Sequence, residues 1–275
     1  MNGENVIASV RNIHGTTNHI SRTRVNAVFE DKDRRSRNAR HYKMSDGTWQ
    51  SVISVSPQNY YNASEGNMRG IDNSLEFKSD KSDSKDFVGY ENKYNEYKVR
   101  FAEDTSGSDL MSVEKDGYKV WFKLIPQSLS VTRANGRRIG GYKNSRAILR
   151  DTSSIIFDKP VNNVLSDPTI TKKNIIGYCG ICDGTDFEYE VKSDRVKENI
   201  IINERACNYE YAFHIYARGL DVRLSSSGKE VEFIPCAAKE AAAVFSLPSA
   251  YMYDADGKMS YSVSYELEKI GDSEY

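Results

Sequence analysis

The residues DFEYEV at positions 186–191 alternate between polar and apolar side chains without a break. A period of two places successive side chains on opposite faces of an extended strand, so that one face of this segment is apolar and the other is polar. The same alternation recurs outward along the chain, in the segments 97–101, 118–124, 209–216, 220–224 and 261–267, with one interruption around Trp121. It predicts antiparallel strands that each bury one face.

Turn-forming residues separate these alternating segments. An Asp-Gly pair at 116–117 directly precedes the segment 118–124 and predicts a tight hairpin. Strands that recur at roughly 8–12-residue spacing, without intervening helical periodicity, are typical of sandwiches and barrels. The sequence therefore predicts an all-β protein, an antiparallel β-sandwich built as one extended sandwich or as two packed β-lobes.

The pattern divides the chain into three parts. Residues 1–38 are polar and basic and are expected to form an extended or partly disordered N-terminal segment, within which the charge run 31–37 is interpreted as a solvated linker. Residues 39–155 are expected to form a first β-lobe with a long basic loop, and residues 156–275 a second β-lobe. The boundary between the lobes is placed by residues 126–153, whose weak pattern predicts a long loop. Loops of this length are uncommon inside a compact domain, so this one is expected to connect two lobes.

Three interpretations concern individual strands. Residues 196–202 are rich in apolar side chains and are expected to form a central strand. The last alternating segment, 261–267, is expected to be a strand that buries Tyr261, Val263, Tyr265 and Leu267. Trp121 lies in an apolar segment and is expected to belong to the core.

Composition and motifs exclude several classes of function. The chain has 275 residues and a formal net charge of −1, which argues against nucleic acid as a partner and against attraction to anionic membranes. No apolar run approaches the roughly 20 residues of a membrane span, so no membrane insertion is expected. Phosphate-binding loops, dinucleotide fingerprints, nucleophile elbows and zinc-protease motifs are absent from the sequence. A protein without catalytic residues or cofactors is therefore expected. A glycan-active enzyme stays as an alternative, because sequence alone does not pair carboxylates.

The chain has four cysteines, at positions 179, 182, 207 and 236. Cys179 and Cys182 form one Cys-x-x-Cys pair, whereas a zinc knuckle usually has a second such pair at short spacing. Free thiols, one disulfide and a metal site assembled by the fold all stay open. The segment 183–186 is interpreted as a turn into a strand rather than a calcium loop, because the remaining ligands of that loop are missing.

A candidate contact surface is formed by exposed aromatic and basic residues. Tyrosine occurs 18 times, and tyrosine with serine and asparagine is typical of binding surfaces. Trp49 follows a turn and is the aromatic residue most suited to an exposed platform. The long loop is locally basic and is either a contact surface or a solvated insertion. The candidate surface residues are Trp49, Arg133, Arg137, Arg138, Lys143 and Arg146.

Several short segments resemble one family in their order and spacing. They are NARHYKMSDGT at 38–48, GIDNSL at 70–75, YENK at 90–93, YKVRFA at 97–102, VKENII at 196–201 and PSAYMYDADG at 248–257. The series resembles the N-terminal β-rich region of large clostridial, Gram-positive wall-associated proteins of the Rhs or YD-repeat type, which carry a DNRLRE domain. The resemblance covers about residues 38–270. The four cysteines depart from the pattern of this family. The resemblance therefore does not define a shared function for the surface around them.

The resemblance implies an extracellular module, secreted or attached to the cell wall, with a signal peptide upstream of Met1. It implies downstream domains of the same polypeptide as partners and supplies no catalytic residue. Two functions follow as hypotheses. One is a structural or adhesive module, in which the segment 251–254 packs onto the next domain. The other is a module that binds a host secreted protein, for example the immunoglobulin met by a gut commensal.

Overall fold

The computed structural model describes residues 25–80, 87–106, 110–125, 130–132, 138–139, 144–150, 173–182, 184–204, 208–237 and 241–275. These residues form β-strands joined by turns, and every strand pairing is antiparallel. The described residues contain no helix, and so none that is long and apolar enough to cross a membrane. The all-β, antiparallel class predicted from the alternation is confirmed.

The largest sheet has six strands in the order β18-β10-β9-β8-β7-β6. Its strands are β6 (Asp72–Asp80), β7 (Phe87–Tyr94), β8 (Lys98–Ala102), β9 (Met111–Lys115), β10 (Tyr118–Leu124) and β18 (Phe213–Arg218). The turn between β9 and β10 contains Asp116 and Gly117 with φ angles of 52° and 80°. Two successive positive φ angles match the right-handed twist of a hairpin, and the predicted Asp-Gly hairpin is confirmed.

A four-stranded sheet packs against the six-stranded sheet. Its strands, in spatial order, are β13 (Ala147–Arg150), β14 (Ile175–Cys182), β15 (Thr185–Val191) and β16 (Val196–Ile202). The main core lies between the two sheets, where the rings of Phe101 and Tyr189 are 5.3 Å apart. Tyr178 also donates a hydrogen bond from its hydroxyl to the carbonyl oxygen of Ala102 at 2.7 Å. Two facing sheets that share an apolar interior form a β-sandwich.

A second core lies against the same six-stranded sheet. It joins Val120, Ile215 and Ala217 of that sheet to a three-stranded sheet. The strands of that smaller sheet are β19 (Leu220–Leu224), β20 (Val231–Pro235) and β21 (Phe245–Leu247). Tyr275 closes this core, because its backbone N–H and carbonyl both hydrogen-bond to Ile215. Both cores contain residues from each side of residue 155. The division into lobes stays a prediction, since residues 151–172 lie outside the described residues.

The remaining strands form small sheets. The N-terminal sheet has the order β1-β2-β3, and two hairpins and a further three-stranded sheet complete the set. The bounds are β1 (Ala27–Ser36), β2 (Ala39–Met44), β3 (Trp49–Ile53), β4 (Asn59–Asn62), β5 (Asn67–Gly70), β11 (Ser130–Thr132), β12 (Arg138–Ile139), β17 (Asn208–Glu210), β22 (Met252–Tyr253) and β23 (Met259–Ser260).

Two strand interpretations differ from the structure. Strand β16 is at the edge of the described four-stranded sheet, and its last residues, Ile201 and Ile202, are exposed, so the expectation of a central strand is wrong. Apolar content alone does not distinguish a central strand from an edge strand. The segment 261–267 is extended but is not assigned to a sheet. Tyr265 and Leu267 pack on the second core, whereas Tyr261 is exposed.

The charge run 31–37 is not a solvated linker but belongs largely to β1, which pairs with β2. Arg35 donates two hydrogen bonds to the Glu30 carboxylate, from Nε at 2.7 Å and from Nη2 at 2.8 Å. The Arg35 and Glu30 side chains are only 11% and 16% exposed. Arg37 forms a second bidentate pair with Glu96 at 2.5 and 2.7 Å. Paired charges can be partly buried in a strand, and composition alone does not reveal the partners.

The pair of Arg35 and Glu30 predicts a pH dependence of stability. The hydrogen bonds from Arg35 lower the pKa of Glu30, against burial, which raises it. A lowered pKa in the folded state means that the stabilisation is present above the ordinary glutamate pKa and is lost as the pH falls through the lowered value. We expect Glu30→Gln to reduce the free energy of unfolding by about 1–2 kcal/mol at neutral pH. Urea unfolding at a series of pH values should show this difference shrinking in acid.

The matched control for this prediction is Glu65→Gln. Glu65 forms an exposed pair with Arg69 at 3.2 Å, which solvent screens. The control should change the free energy of unfolding by less than about 0.5 kcal/mol at every pH. A Glu30→Gln difference that persists unchanged into acid would contradict the assignment to this carboxylate.

Candidate functional site

The N-terminal sheet has one face packed on the protein and one face exposed. On the packed face, Arg40 donates a hydrogen bond from Nη2 to the carbonyl oxygen of Gln58 at 3.0 Å. The amide of Asn59 donates to the carbonyl oxygens of Ser36 and Ala39 at 2.7 and 3.1 Å. These contacts fix the sheet against the hairpin β4–β5 and leave its opposite face to solvent.

A row of three side chains crosses the exposed face. Phe29 in β1 is opposite Lys43 in β2, and Lys43 is opposite Trp49 in β3. Directly opposed residues share a face of the sheet. The rings of Phe29 and Trp49 meet edge to face, with centroids 5.9 Å apart, and they are 54% and 46% exposed. Two large aromatic side chains therefore stand together in solvent.

Two cations lie over the Trp49 ring. The Arg34 guanidinium is 5.4 Å and the Lys43 ammonium 5.1 Å from the ring centroid. Attraction to the negative face of the ring holds both charges at the surface. Lys43 also donates a hydrogen bond to the carbonyl oxygen of Gly47 at 2.5 Å, which further fixes its position. We name the set of Phe29, Arg34, Lys43 and Trp49 the Trp49 surface.

The next row of the same face is polar. Asp31, His41 and Ser51 occupy opposed positions in the three strands. Nδ1 of His41 lies 2.7 Å from Oγ of Ser51, a hydrogen bond that orients the imidazole on the sheet. The following position of β3 is Ile53, which is exposed. An aromatic and cationic centre is thus bordered by polar groups, one of them the Asp31 carboxylate, and by the exposed Ile53, which is the composition of a contact surface rather than of a core.

The structure describes few of the other predicted surface residues. Arg133, Arg137 and Lys143 lie outside the described residues, and only the backbone of Arg138 is described, in β12. Arg146 is exposed and forms an ion pair with Glu103 at 2.5 Å. It borders a shallow depression of about 320 Å³ that Asp104, Ser106 and Ser145 also line. Trp49 and Arg146 belong to separate parts of the fold and do not form one site.

Two of the four cysteines have described side chains. Cys179 and Cys236 are both free and exposed. The Arg150 guanidinium lies 3.6 Å from the sulfur of Cys179. The side chain of Cys182 and all of Cys207 lie outside the described residues, so the disulfide and metal alternatives stay open there. Among the described residues, no three or more His, Cys, Asp and Glu side chains are grouped as a metal would require.

Sequence reasoning assigned the second tryptophan to the wrong environment. Trp121 is half-buried on the outer face of the six-stranded sheet, so the expectation that it belongs to the core is wrong. The buried neighbours Val120 and Leu124 point inward, and the period of two therefore places Trp121 outward with Lys119 and Lys123. The alternation of 118–124 indicated that Trp121 points outward. The apolar character of tryptophan nevertheless led to the prediction of a core residue.

The C-terminal hairpin carries a third group of exposed aromatic residues. In strands β22 and β23, Met252 is opposite Ser260 and Tyr253 is opposite Met259. The ring of Tyr251 lies 6.4 Å from that of Tyr253 and 6.2 Å from that of Tyr261. All three tyrosines are exposed, so the hairpin presents a ladder of rings to solvent.

Comparison with known proteins does not classify the chain. No protein-family model, no curated protein and no solved structure matches it.

Proposed function

We propose that this chain is a non-enzymatic β-sandwich module that binds a protein partner through the Trp49 surface. We further propose that it belongs to a large Gram-positive cell-surface or secreted protein of the Rhs or YD-repeat type with a DNRLRE domain. Binding is supported by the geometry of the exposed row. The adhesive role and the extracellular location are supported by the resemblance of the sequence segments to that family.

The observation that carries the binding proposal is the exposure of Phe29 and Trp49 side by side, with Arg34 and Lys43 over the indole. Tryptophan and arginine are the residues most enriched at the energetic centres of protein interfaces. An indole held edge to face by a phenyl ring is pre-ordered, so the Trp49 side chain loses little entropy when a partner binds. The surface therefore has an aromatic anchor that is already in position.

The two cations favour an acidic protein partner. Arg34 and Lys43 both lie over the Trp49 ring, so positive charge and aromatic area are presented together. An acidic protein surface pairs with both cations while its apolar side chains cover the two rings. A host secreted protein such as immunoglobulin is the partner that this role implies for a gut commensal.

The test is the substitution Trp49→Ala. Immobilised protein is exposed to intestinal secretions and serum, the retained protein is identified after a high-salt wash, and its Kd is measured. We expect Trp49→Ala to weaken binding by about tenfold or more, because loss of a central aromatic anchor typically costs at least that much. The melting temperature should change little, since the side chain is already exposed.

The matched control is Tyr61→Ala. Tyr61 is also an exposed aromatic residue, 64% accessible, but it lies in β4 away from the Trp49 surface. The control should leave Kd within about twofold of the native value. Equal affinities for the native chain and the Trp49→Ala variant would contradict the proposal.

A second, structural role is favoured by the tyrosine ladder of the C-terminal hairpin. We propose that Tyr251, Tyr253 and Tyr261 dock on the domain that follows in the longer polypeptide implied by the resemblance. Exposed tyrosine rings bury large area at low conformational cost. Hydrogen exchange of the hairpin amides, compared between this chain and a longer natural polypeptide, tests the idea. Slower exchange in the longer polypeptide supports docking, and equal exchange contradicts it.

A further inference from the structure

The two neighbouring strands β10 and β18 present six side chains on the outer face of the six-stranded sheet. Their register sets Lys119 opposite Arg218, Trp121 opposite Tyr216 and Lys123 opposite His214. The intervening residues Val120, Leu124, Ile215 and Ala217 are buried in the two cores. The alternation therefore places all six on one face, and we name them the outer-face grid.

The middle row of the outer-face grid is aromatic. The rings of Trp121 and Tyr216 are 5.3 Å apart and tilted by 52°. Tyr216 is 37% exposed, and the Lys119 ammonium lies 4.9 Å from the Trp121 ring centroid. The pair forms an apolar strip in the centre of an otherwise charged face.

The rows on each side of the aromatic pair consist of basic residues, and Glu114 and Glu274 border them. Lys123 and Arg218 are exposed, and neither forms an ion pair within the described part of the chain. Lys119 lies 4.0 Å from Glu114, the limit of an ion pair. His214 is adjacent to Glu274, with Nε2 and Oε2 at 3.5 Å. Lys119 and Lys123 are separated by four residues of an extended strand, a Cα distance of about 13 Å.

We propose that the outer-face grid binds an anionic polysaccharide in which acidic sugars alternate with uncharged ones. The apolar C–H face of an uncharged ring covers Trp121 and Tyr216, which removes apolar surface from water. The carboxylates of the flanking acidic sugars reach Lys123 on one side and Arg218 on the other. Arginine binds carboxylate through two parallel N–H groups, which suits it to this position.

The charge distribution distinguishes this ligand from a nucleic acid. A single-stranded nucleic acid carries a phosphate at every nucleotide and needs a continuous basic groove. Here the basic residues lie in the two rows that flank the aromatic row, and Glu114 and Glu274 interrupt the positive charge. The chain as a whole has a net charge of −1. The outer-face grid belongs to a different sheet from the Trp49 surface, so this inference does not rest on the proposed protein binding.

The test uses the full chain and a size-defined oligosaccharide of alternating glucuronate and N-acetylglucosamine, measured by calorimetry at about 0.15 M salt. The same oligosaccharide with its carboxylates reduced to alcohols, and single-stranded poly(dT), are the comparison ligands. Binding of the acidic oligosaccharide alone is expected. No binding, unchanged binding of the reduced form, or equal binding of poly(dT) would overturn the proposal.

The variants are a double substitution, Lys123→Gln with Arg218→Gln, and Tyr216→Ala. Each should weaken oligosaccharide binding by about tenfold or more, the loss expected when charge-assisted hydrogen bonds or aromatic contacts disappear. The control is the double substitution Lys258→Gln with Arg195→Gln, which removes the same charge at exposed positions elsewhere. It should stay within about twofold of native affinity. If the grid variants and the control variant lost oligosaccharide affinity equally, net charge alone would explain the loss. That result would overturn the assignment of binding to the outer-face grid.

Trp49→Ala separates this proposal from the proposed function. It should leave oligosaccharide binding unchanged. Oligosaccharide binding that is lost with Trp49→Ala and kept in the grid variants would place the sugar on the Trp49 surface and overturn the assignment to the outer-face grid.

Discussion

Gly89→Ala is expected to destabilise the protein by about 3 kcal/mol or more. Gly89 lies in β7 between β6 and β8 and is buried. A Cβ atom at this position would lie 2.0 Å from the carbonyl oxygen of Phe101 and 3.1 Å from the backbone nitrogen of Glu103. The obstacle is backbone rather than a flexible side chain, so the strand itself has to move.

The movement required by Gly89→Ala would displace the main core. Strand β8 carries Val99 and Phe101, which are fully buried between the two sheets. A shift of β8 therefore disturbs side chains that are packed at crystal-like density. Urea unfolding followed by tryptophan fluorescence measures the loss.

The matched control for Gly89→Ala is Gly177→Ala. Gly177 is also a buried strand glycine, in β14, but a Cβ there would meet the carbonyl oxygen of Phe187 at 3.7 Å, an ordinary contact. This variant should lie within about 1 kcal/mol of the native chain. Equal destabilisation by the two substitutions would show that the close approach of β8 is not the cause.

Asn92→Ala is expected to cost about 2–4 kcal/mol. The paired register of β7 and β8 ends at Glu91 and Arg100, and the Asn92 side chain supplies the next hydrogen bonds. Its Nδ2 donates to the carbonyl oxygen of Tyr97 at 3.0 Å, and its Oδ1 accepts from the N–H of Val99 at 2.8 Å. Asn92 is 3% exposed, so alanine would leave these backbone groups without partners in the core.

The measurement for Asn92→Ala is chemical unfolding together with hydrogen exchange of the Val99 amide. That amide should exchange faster than its neighbours in β8, because it loses its acceptor. Asn62→Ala is the control, since Asn62 accepts a hydrogen bond from the N–H of Ser64 at 3.2 Å in an exposed turn. The control should cost less than about 1 kcal/mol. An unchanged Val99 amide would contradict the role of Asn92.

The sequence predicted the fold class because alternation is a local signal. The segments 97–101, 186–191 and 220–224 match β8, β15 and β19, and the Asp-Gly pair marks the β9–β10 hairpin. Each of these features depends on residues within one strand or turn. Sequence reasoning of this kind succeeds wherever the burial of a side chain follows from its own position in the pattern.

Features that depend on register were not predictable from the sequence. Gly89 and Asn92 owe their importance to the approach of another strand, and no local pattern indicates which strand that is. The same reason explains the interpretation of 31–37 as a linker, because the partners Glu30 and Glu96 become visible only in the fold. Composition gives the number of charged residues but not which of them form ion pairs.

The candidate site was predictable only in part. Trp49 was singled out as an exposed aromatic residue, and the structure places it on an exposed face. Phe29 and Lys43 reach it from separate strands by cross-strand pairing, which the sequence does not display. The outer-face grid was missed because the hydrophobicity of Trp121 was weighted above its position in the alternation.

The position of β18 in the six-stranded sheet has a consequence for the order in which the molecule is made. β10 is synthesised long before its partner β18, and β18 pairs in turn with Tyr275. Until that late part of the chain has been made, one edge of the large sheet is open and its inner face lacks a strand of both cores. The unpaired N–H and C=O groups of an open edge can pair with another chain. The edge of β10 is therefore unpaired in the nascent chain until β18 has been made, and during that interval it is the edge of the large sheet that is exposed to aggregation.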